Sequence, residues 1–175
     1  LPQQDIYFEQ LLYPNDPIYN IGAKITIKGA NLSYELFNKA YIALINQHDA
    51  YRSIVINNAI NDVKIETLEN HASTLGYLDF SGDKNPEKSA DEYMKNTFQT
   101  VFKFEDKTLL HKFILIKVND SLHYLFSMYH HIITDGWGTS LMFQRLVKNY
   151  NELANDGEIT SEYPFTYKDF VADDE

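Results

Sequence analysis

The stretch that decides the fold is His130-His131-Ile132-Ile133-Thr134-Asp135-Gly136-Trp137-Gly138. It lies between an apolar run, Leu122 to Tyr129, whose composition predicts a β-strand, and a helical pattern from about Thr139 to Ala154. Side chains alternate faces along a strand, so Leu122, Tyr124, Phe126, Met128 and His130 share one face, and His123, Leu125, Ser127, Tyr129 and His131 the other. His130 is thereby expected on the greasier side as a packing residue, and His131 on the more polar side as the candidate for chemistry. Asp135 falls in the turn before the helix, where its carboxylate either fixes an imidazole tautomer or pairs with a distant Arg to hold the loop. Gly136 and Gly138 suit a turn that needs positive φ or close approach by a substrate. The start of the helix beyond them presents free N–H groups and a positive dipole end where charge would build on an oxygen. A base beside an oxyanion environment, with no protein nucleophile in the stretch, fits direct acyl transfer between two bound substrates. A metal site is not expected, because neighbours on a strand project to opposite faces and no His or Glu completes helical i+4 spacing.

Working outward, Leu110 to Val118 pairs with Leu122 to Tyr129 through an Asn119-Asp120 turn. Gln3 to Leu12 carries helix-compatible spacing in Ile6, Phe8 and Leu11, and stops at Pro14-Asn15-Asp16-Pro17. Ile18 to Lys28 reads as a strand with Ile21, Ala23, Ile25 and Ile27 on one buried face. Ser33 is an N-cap for a helix to about Gln47. Ser53 to Asn57 and Val63 to Leu68 form a strand pair, Thr74 to Phe80 a short strand, and Glu87 to Val101 a helix. The acidic stretch after Ala154 is a surface connection leading out. Strands and helices interleave without repeats, which predicts an α/β (α+β sandwich) fold, one domain over residues 1–175 with a mixed β-sheet flanked by helices.

The chain has 175 residues, 15 basic against 25 acidic, for a formal charge of −10; 44% are hydrophobic and 14% aromatic. That is ample for a packed core and too acidic for phosphate backbones or anionic membranes, so neither nucleic acid nor membrane is an expected partner. With no cysteine there is no disulfide, thiolate nucleophile or Cys-ligated metal. The absence of a spanning run or secretion signal gives a cytoplasmic expectation, and the sequons at Asn31 and Asn119 are read as chance. A first residue Leu1 and an abrupt Asp173-Asp174-Glu175 end read as a piece of something larger. Among the remaining histidines, His111 and His123 are expected toward solvent or a capped position, and His71 in a polar loop. His48 is expected at a helix C-terminus that favours a cationic ring. Arg52, drawn inward by Ile54-Val55-Ile56, wants a carboxylate, and Asp135 is the candidate.

These residues carry a resemblance. His130-His131-Ile132-Ile133-Thr134-Asp135-Gly136 resembles the HHxxxDG signature of nonribosomal peptide synthetase condensation domains. Gln47-His48-Asp49-Ala50-Tyr51-Arg52-Ser53 resembles that family's RHExLRT stretch, with Gln for Arg at its start. Leu1-Pro2-Gln3-Gln4-Asp5-Ile6-Tyr7-Phe8 resembles the end of its first motif. The resemblance implies the N-terminal lobe of two chloramphenicol acetyltransferase-like lobes, with the C-terminal lobe absent and the isolated fragment inactive. It implies that His131 acts on an acceptor amine attacking a donor thioester, as base or by orienting the amine. Gly136 would help place the amide or oxyanion, and His130 and an Asp135–Arg52 pair would give structural support. No cofactor would bind directly: substrates would ride on phosphopantetheine arms of donor and acceptor peptidyl carrier proteins. The Trp137-Gly138-Thr139-Ser140 run differs from the Ser-Trp-Arg of epimerization domains, and Tyr19-Asn20-Ile21-Gly22 is similar to domains taking an acyl starter. Two other readings stay open, a CoA-dependent acyltransferase of the HxxxD type and a non-catalytic recruitment module.

Overall fold

The structure is a computed structural model and describes residues 2–29, 32–59, 62–69, 74–104, 108–164 and 166. His71 and the acidic end at 173–175 lie outside the described residues. The chain forms two compact units: one comprises residues 1–32, 75–103 and 110–133, the other residues 33–74, 104–109 and 134–175.

The first unit is built on a hairpin of β5 (His111–Asn119) and β6 (Leu122–His130). Largely apolar and aromatic sequences leave little of either strand exposed. β1 (Asn20–Lys28) pairs antiparallel with β6, and β4 (Gly76–Asp79) pairs parallel with β5, giving a mixed four-stranded sheet in the order β1-β6-β5-β4. The expected alternation of β1 holds from Ile21 onward: Ile21, Ala23, Ile25 and Ile27 are half-buried and Gly22, Lys24, Thr26 and Lys28 exposed, while Asn20, expected on the polar face, is buried. Helix α3 (Pro86–Phe98), capped by Asn85, lays Ala90 and Met94 on Ile114, Ile116, Val118, Tyr124, Phe126 and Met128 of the sheet. Helix α1 (Pro2–Leu12) departs from its apolar spacing. Phe8 and Leu11 are exposed, while Tyr7 and Gln10 are buried, each 4% exposed.

In the second unit α2 (Tyr34–Gln47) begins as expected, with Ser33 Oγ accepting the Leu36 N–H at 3.3 Å, and buries Phe37, Ala40, Tyr41, Leu44 and Ile45. It packs against α4 (Gly136–Asp156), which closes at Gly157 in the left-handed region, φ 79°. A 3-10 turn, Asp49–Arg52, leads into the hairpin of β2 (Ser53–Ala59) and β3 (Asp62–Thr67). No helix among the described residues is long and apolar enough to cross a membrane.

Candidate active site

The two adjacent histidines part company at the end of β6. His130 is fully buried, and both ring nitrogens are engaged. Its Nδ1 accepts the Ile132 N–H at 3.1 Å, so the proton sits on Nε2, which donates to Gln10 Oε1 at 3.3 Å. Burial, and secondarily the charge of His131, pushes the His130 imidazole down to about 4, so it is neutral near pH 7. His131 is exposed. It has left the strand, and its backbone N–H donates to Tyr19 O at 2.8 Å.

The expected division between a packed and an open histidine is therefore observed, for a different reason. The strand face holding His123, Leu125, Ser127 and Tyr129 is as buried as the other. His131 is open because it lies past the last ladder pair, in a turn, rather than on a polar strand face. His111 and His123 correct another expectation, being only 8% and 6% exposed. A shallow open groove of about 330 Å³ elsewhere in this unit, lined by residues including Gly22, Lys24, Asp91 and Phe98, includes neither His130 nor His131.

In the second unit, α4 starts at Gly136, three residues before the sequence pattern suggests, because Asp135 is its N-cap and its Oδ1 accepts the Gly138 N–H at 2.8 Å. Neither Gly136 nor Gly138 has positive φ. At Gly138 the constraint is contact instead, since a Cβ there would stand 2.6 Å from Thr134 Oγ1 and that hydroxyl would have to shift. At Gly136 a Cβ would meet nothing within 4 Å, so the space above it is open.

The expected Arg52–Asp135 pair is not formed: among the described residues no ion pair joins them. Arg52 Nε donates to Ile45 O at 3.1 Å, and Nη1 donates to Leu68 O and to Glu69 O, the latter at 2.8 Å. Carbonyls in the last turn of a helix lack intrahelical partners, and the guanidinium fork supplies donors to one of them while tying in the chain after β3. Asp135 is likewise committed to its own helix.

Sequence reasoning overlooked a polar cluster in this unit. Arg145, 7% exposed, donates from Nε to Gln47 Oε1 at 2.9 Å and from Nη2 to Ser161 O at 2.6 Å. Buried Asn149 donates to the same Gln47 oxygen at 2.9 Å. An Arg at position 47 would face Arg145, which explains the Gln at the start of the Gln47–Ser53 stretch. His48 caps α2 as expected, but its ring is not cationic. Burial, and then Arg145, hold it at about 4, with Tyr163 against it at 4.2 Å between ring centroids and Tyr163 OH 3.1 Å from Nδ1. The signal for this cluster lay in Arg145 and Asn149, two polar residues four apart on the face of α4 that also buries Met142 and Leu146.

No group of three or more His, Asp or Glu that could hold a metal ion occurs among the described residues.

Comparison with known proteins gives the same answer from sequence and from structure. The chain is 25% identical over 173 residues to gramicidin S synthase 2 of Brevibacillus brevis, covering 97% of this chain and 4% of that protein. It is 23% identical over 172 residues to surfactin synthase subunit 3 of Bacillus subtilis (strain 168), covering 97% and 13%. The starter condensation domain of rhizomide synthetase RzmA superposes with a TM-score of 0.88 at 25% identity, over 99% of this chain and 43% of that one. The first condensation domain of the CDA synthetase superposes with a TM-score of 0.84 at 21% identity, over 98% and 44%. The chain thus spans less than half the length of these relatives, and its mixed α/β fold is of the chloramphenicol acetyltransferase type that they share. The condensation-domain model matches residues 1–175, and the chain belongs to the condensation-domain family.

Proposed function

We propose that residues 1–175 act as a single N-terminal lobe of a peptide-bond-forming condensation domain, an acyltransferase of a cytoplasmic nonribosomal peptide synthetase. In this reading an acceptor amine attacks the carbonyl of a donor acyl or peptidyl thioester, an amide bond forms, and the thiol of the donor arm leaves. His131 acts on the amine, taking its proton as base or orienting its lone pair. Gly136, at the open first position of α4, helps place the amide or oxyanion. His130, Asp135 and Arg52 support the site, the last two by separate backbone contacts rather than by pairing. The lobe binds no cofactor of its own, and its partners are donor and acceptor peptidyl carrier proteins with phosphopantetheine arms and a C-terminal lobe. Without that lobe the fragment is inactive.

One observation carries this reading: His131 is exposed immediately after a residue whose ring is sealed and fully bonded. An imidazole exposed on a fixed turn is what general-base or orienting work requires. The acyltransferase alternative is not separated by donor chemistry, because an RzmA starter-domain variant has been crystallised with both C8-CoA and Leu-SNAC. The acceptor separates them. A complete domain carrying these residues, supplied with one donor thioester, should transfer acyl groups to an aminoacyl carrier protein. Transfer only to free small-molecule acceptors favours the HxxxD enzyme, and no transfer to either favours a recruitment module.

A further inference from the structure

Besides Leu110 O, which accepts the His130 N–H at 2.9 Å, the groups that hold the end of β6 in place come from α1 and the loop after it, and those of Gln10 and His130 form one directed chain of hydrogen bonds. Gln10 is 4% exposed in a helix whose apolar residues Phe8 and Leu11 face outward, so its burial needs a reason. Its amide Nε2 donates twice, to Tyr13 O at 2.8 Å and to Asp16 O at 3.1 Å. Both donor hydrogens are then used, the amide cannot flip, and Oε1 is the atom facing His130 Nε2 at 3.3 Å. The imidazole must donate there, which leaves Nδ1 unprotonated to accept the Ile132 N–H at 3.1 Å. Ile132 is the residue after His131, and His131's own N–H is held by Tyr19 O at 2.8 Å. His131 is thereby clamped on both sides of its Cα, by a carbonyl before β1 and by a ring whose tautomer Gln10 and the Ile132 N–H fix together.

We propose that Gln10 is a positioning residue for the condensation reaction: it locks His130 in the Nε2–H tautomer and so fixes the turn that presents His131. The inference rests on the catalytic reading of His131 and adds a residue remote from the reacting atoms. Two near-isosteric substitutions separate its parts. Gln10→Glu removes both amide donors and sets a carboxylate against His130, favouring the imidazolium, whose Nδ1–H opposes the Ile132 N–H. Gln10→Met removes the acceptor for Nε2–H and leaves the ring held by the Ile132 N–H alone.

The test uses a complete condensation domain carrying these residues, ¹⁵N-labelled at histidine, with thermal unfolding as the control for folding. In the unsubstituted domain the His130 ring, identified by the signals that His130→Asn removes, should show a pyridine-type Nδ1 and a pyrrole-type Nε2 at pH 7. Gln10→Glu should convert it to the doubly protonated pattern, and both variants should lose about 10- to 100-fold in kcat with KM changed less than about twofold, the scale expected when a reacting group is misplaced by about 1 Å. A protonated Nδ1 in the unsubstituted domain overturns the proposal. So do variants that keep full kcat, or a Gln10→Glu domain that loses kcat with the ring pattern unchanged. If His131→Ala keeps full turnover, the catalytic reading fails instead, and the ring signals still report separately on the Gln10 contact.

Discussion

An imidazole whose two nitrogens both have protein partners, as in His130, has no lone pair left for a substrate, whereas its exposed neighbour keeps its side chain for other work. Alternation along β6 separates a packed His130 from an open His131 correctly, but takes the reason from a polar face that the structure shows to be buried. What could not be read was Gln10. A polar residue on a helix whose apolar spacing runs through Phe8 and Leu11 looks solvated, and only the position of Tyr13 O, Asp16 O and the His130 ring makes it interior. Gly136 gives a prediction at this scale. Open space over it means that Gly136→Ala should change stability by no more than about 0.5 kcal/mol, while lowering amide formation if the substrate uses that space. Equal unfolding midpoints with reduced turnover are expected, and unchanged turnover would remove Gly136 from the site.

Element boundaries follow the sequence where caps announce them. Ser33 before α2 and Asn85 before α3 are both N-caps. The start of α4 is misplaced when Gly136 and Gly138 are read as turn residues, although Asp135 before them is an equally good cap. The same demand of helix ends for partners decides the fate of Arg52, whose guanidinium goes to backbone carbonyls. Arg52→Ala should cost about 1–3 kcal/mol from lost charge-assisted bonds, and Asp135→Ala about 0.5–2 kcal/mol from a lost cap. A double-mutant cycle in urea should find the two additive within about 0.5 kcal/mol; coupling of several kcal/mol would restore the ion pair expected from sequence. Between α2 and α4, Gln47 accepts from Arg145 and Asn149. Gln47→Arg sets two guanidinium groups together and should destabilise by about 3 kcal/mol, with Arg145→Gln added to it recovering most of the loss. An unaltered denaturation midpoint for Gln47→Arg alone would show that this contact does not hold the helices.

For the whole molecule, each compact unit contains a neutral imidazole, the buried His130 in one and the half-buried His48 in the other, both held at about 4 against an ordinary 6.5. Between those values the unfolded chain binds protons that the folded chain refuses, so stability is fully present above about pH 6.5 and falls as pH drops toward about 4. His130 alone accounts for on the order of 3 kcal/mol of that loss, and His48 adds in the same direction. Urea midpoints from pH 7.5 to pH 4 should fall steadily, with a shallower slope in a His130→Asn domain; a flat profile would mean that His130 is not buried as a neutral ring. The mixed sheet and the family were legible because the β5–β6 hairpin and the HHxxxDG stretch depend on local pattern. The Asp135 cap is local and could have been read, whereas the contacts of Arg52 and Gln10 depend on tertiary geometry, which no local pattern encodes.

The most direct test of the central claim is the single-turnover rate of amide formation by a complete condensation domain in which His131 is replaced by Ala, with loaded donor and acceptor carrier proteins and an unfolding midpoint matching the unsubstituted domain. A fall of about 10²–10⁴ in that rate is predicted; a rate equal to that of the unsubstituted domain would contradict the account.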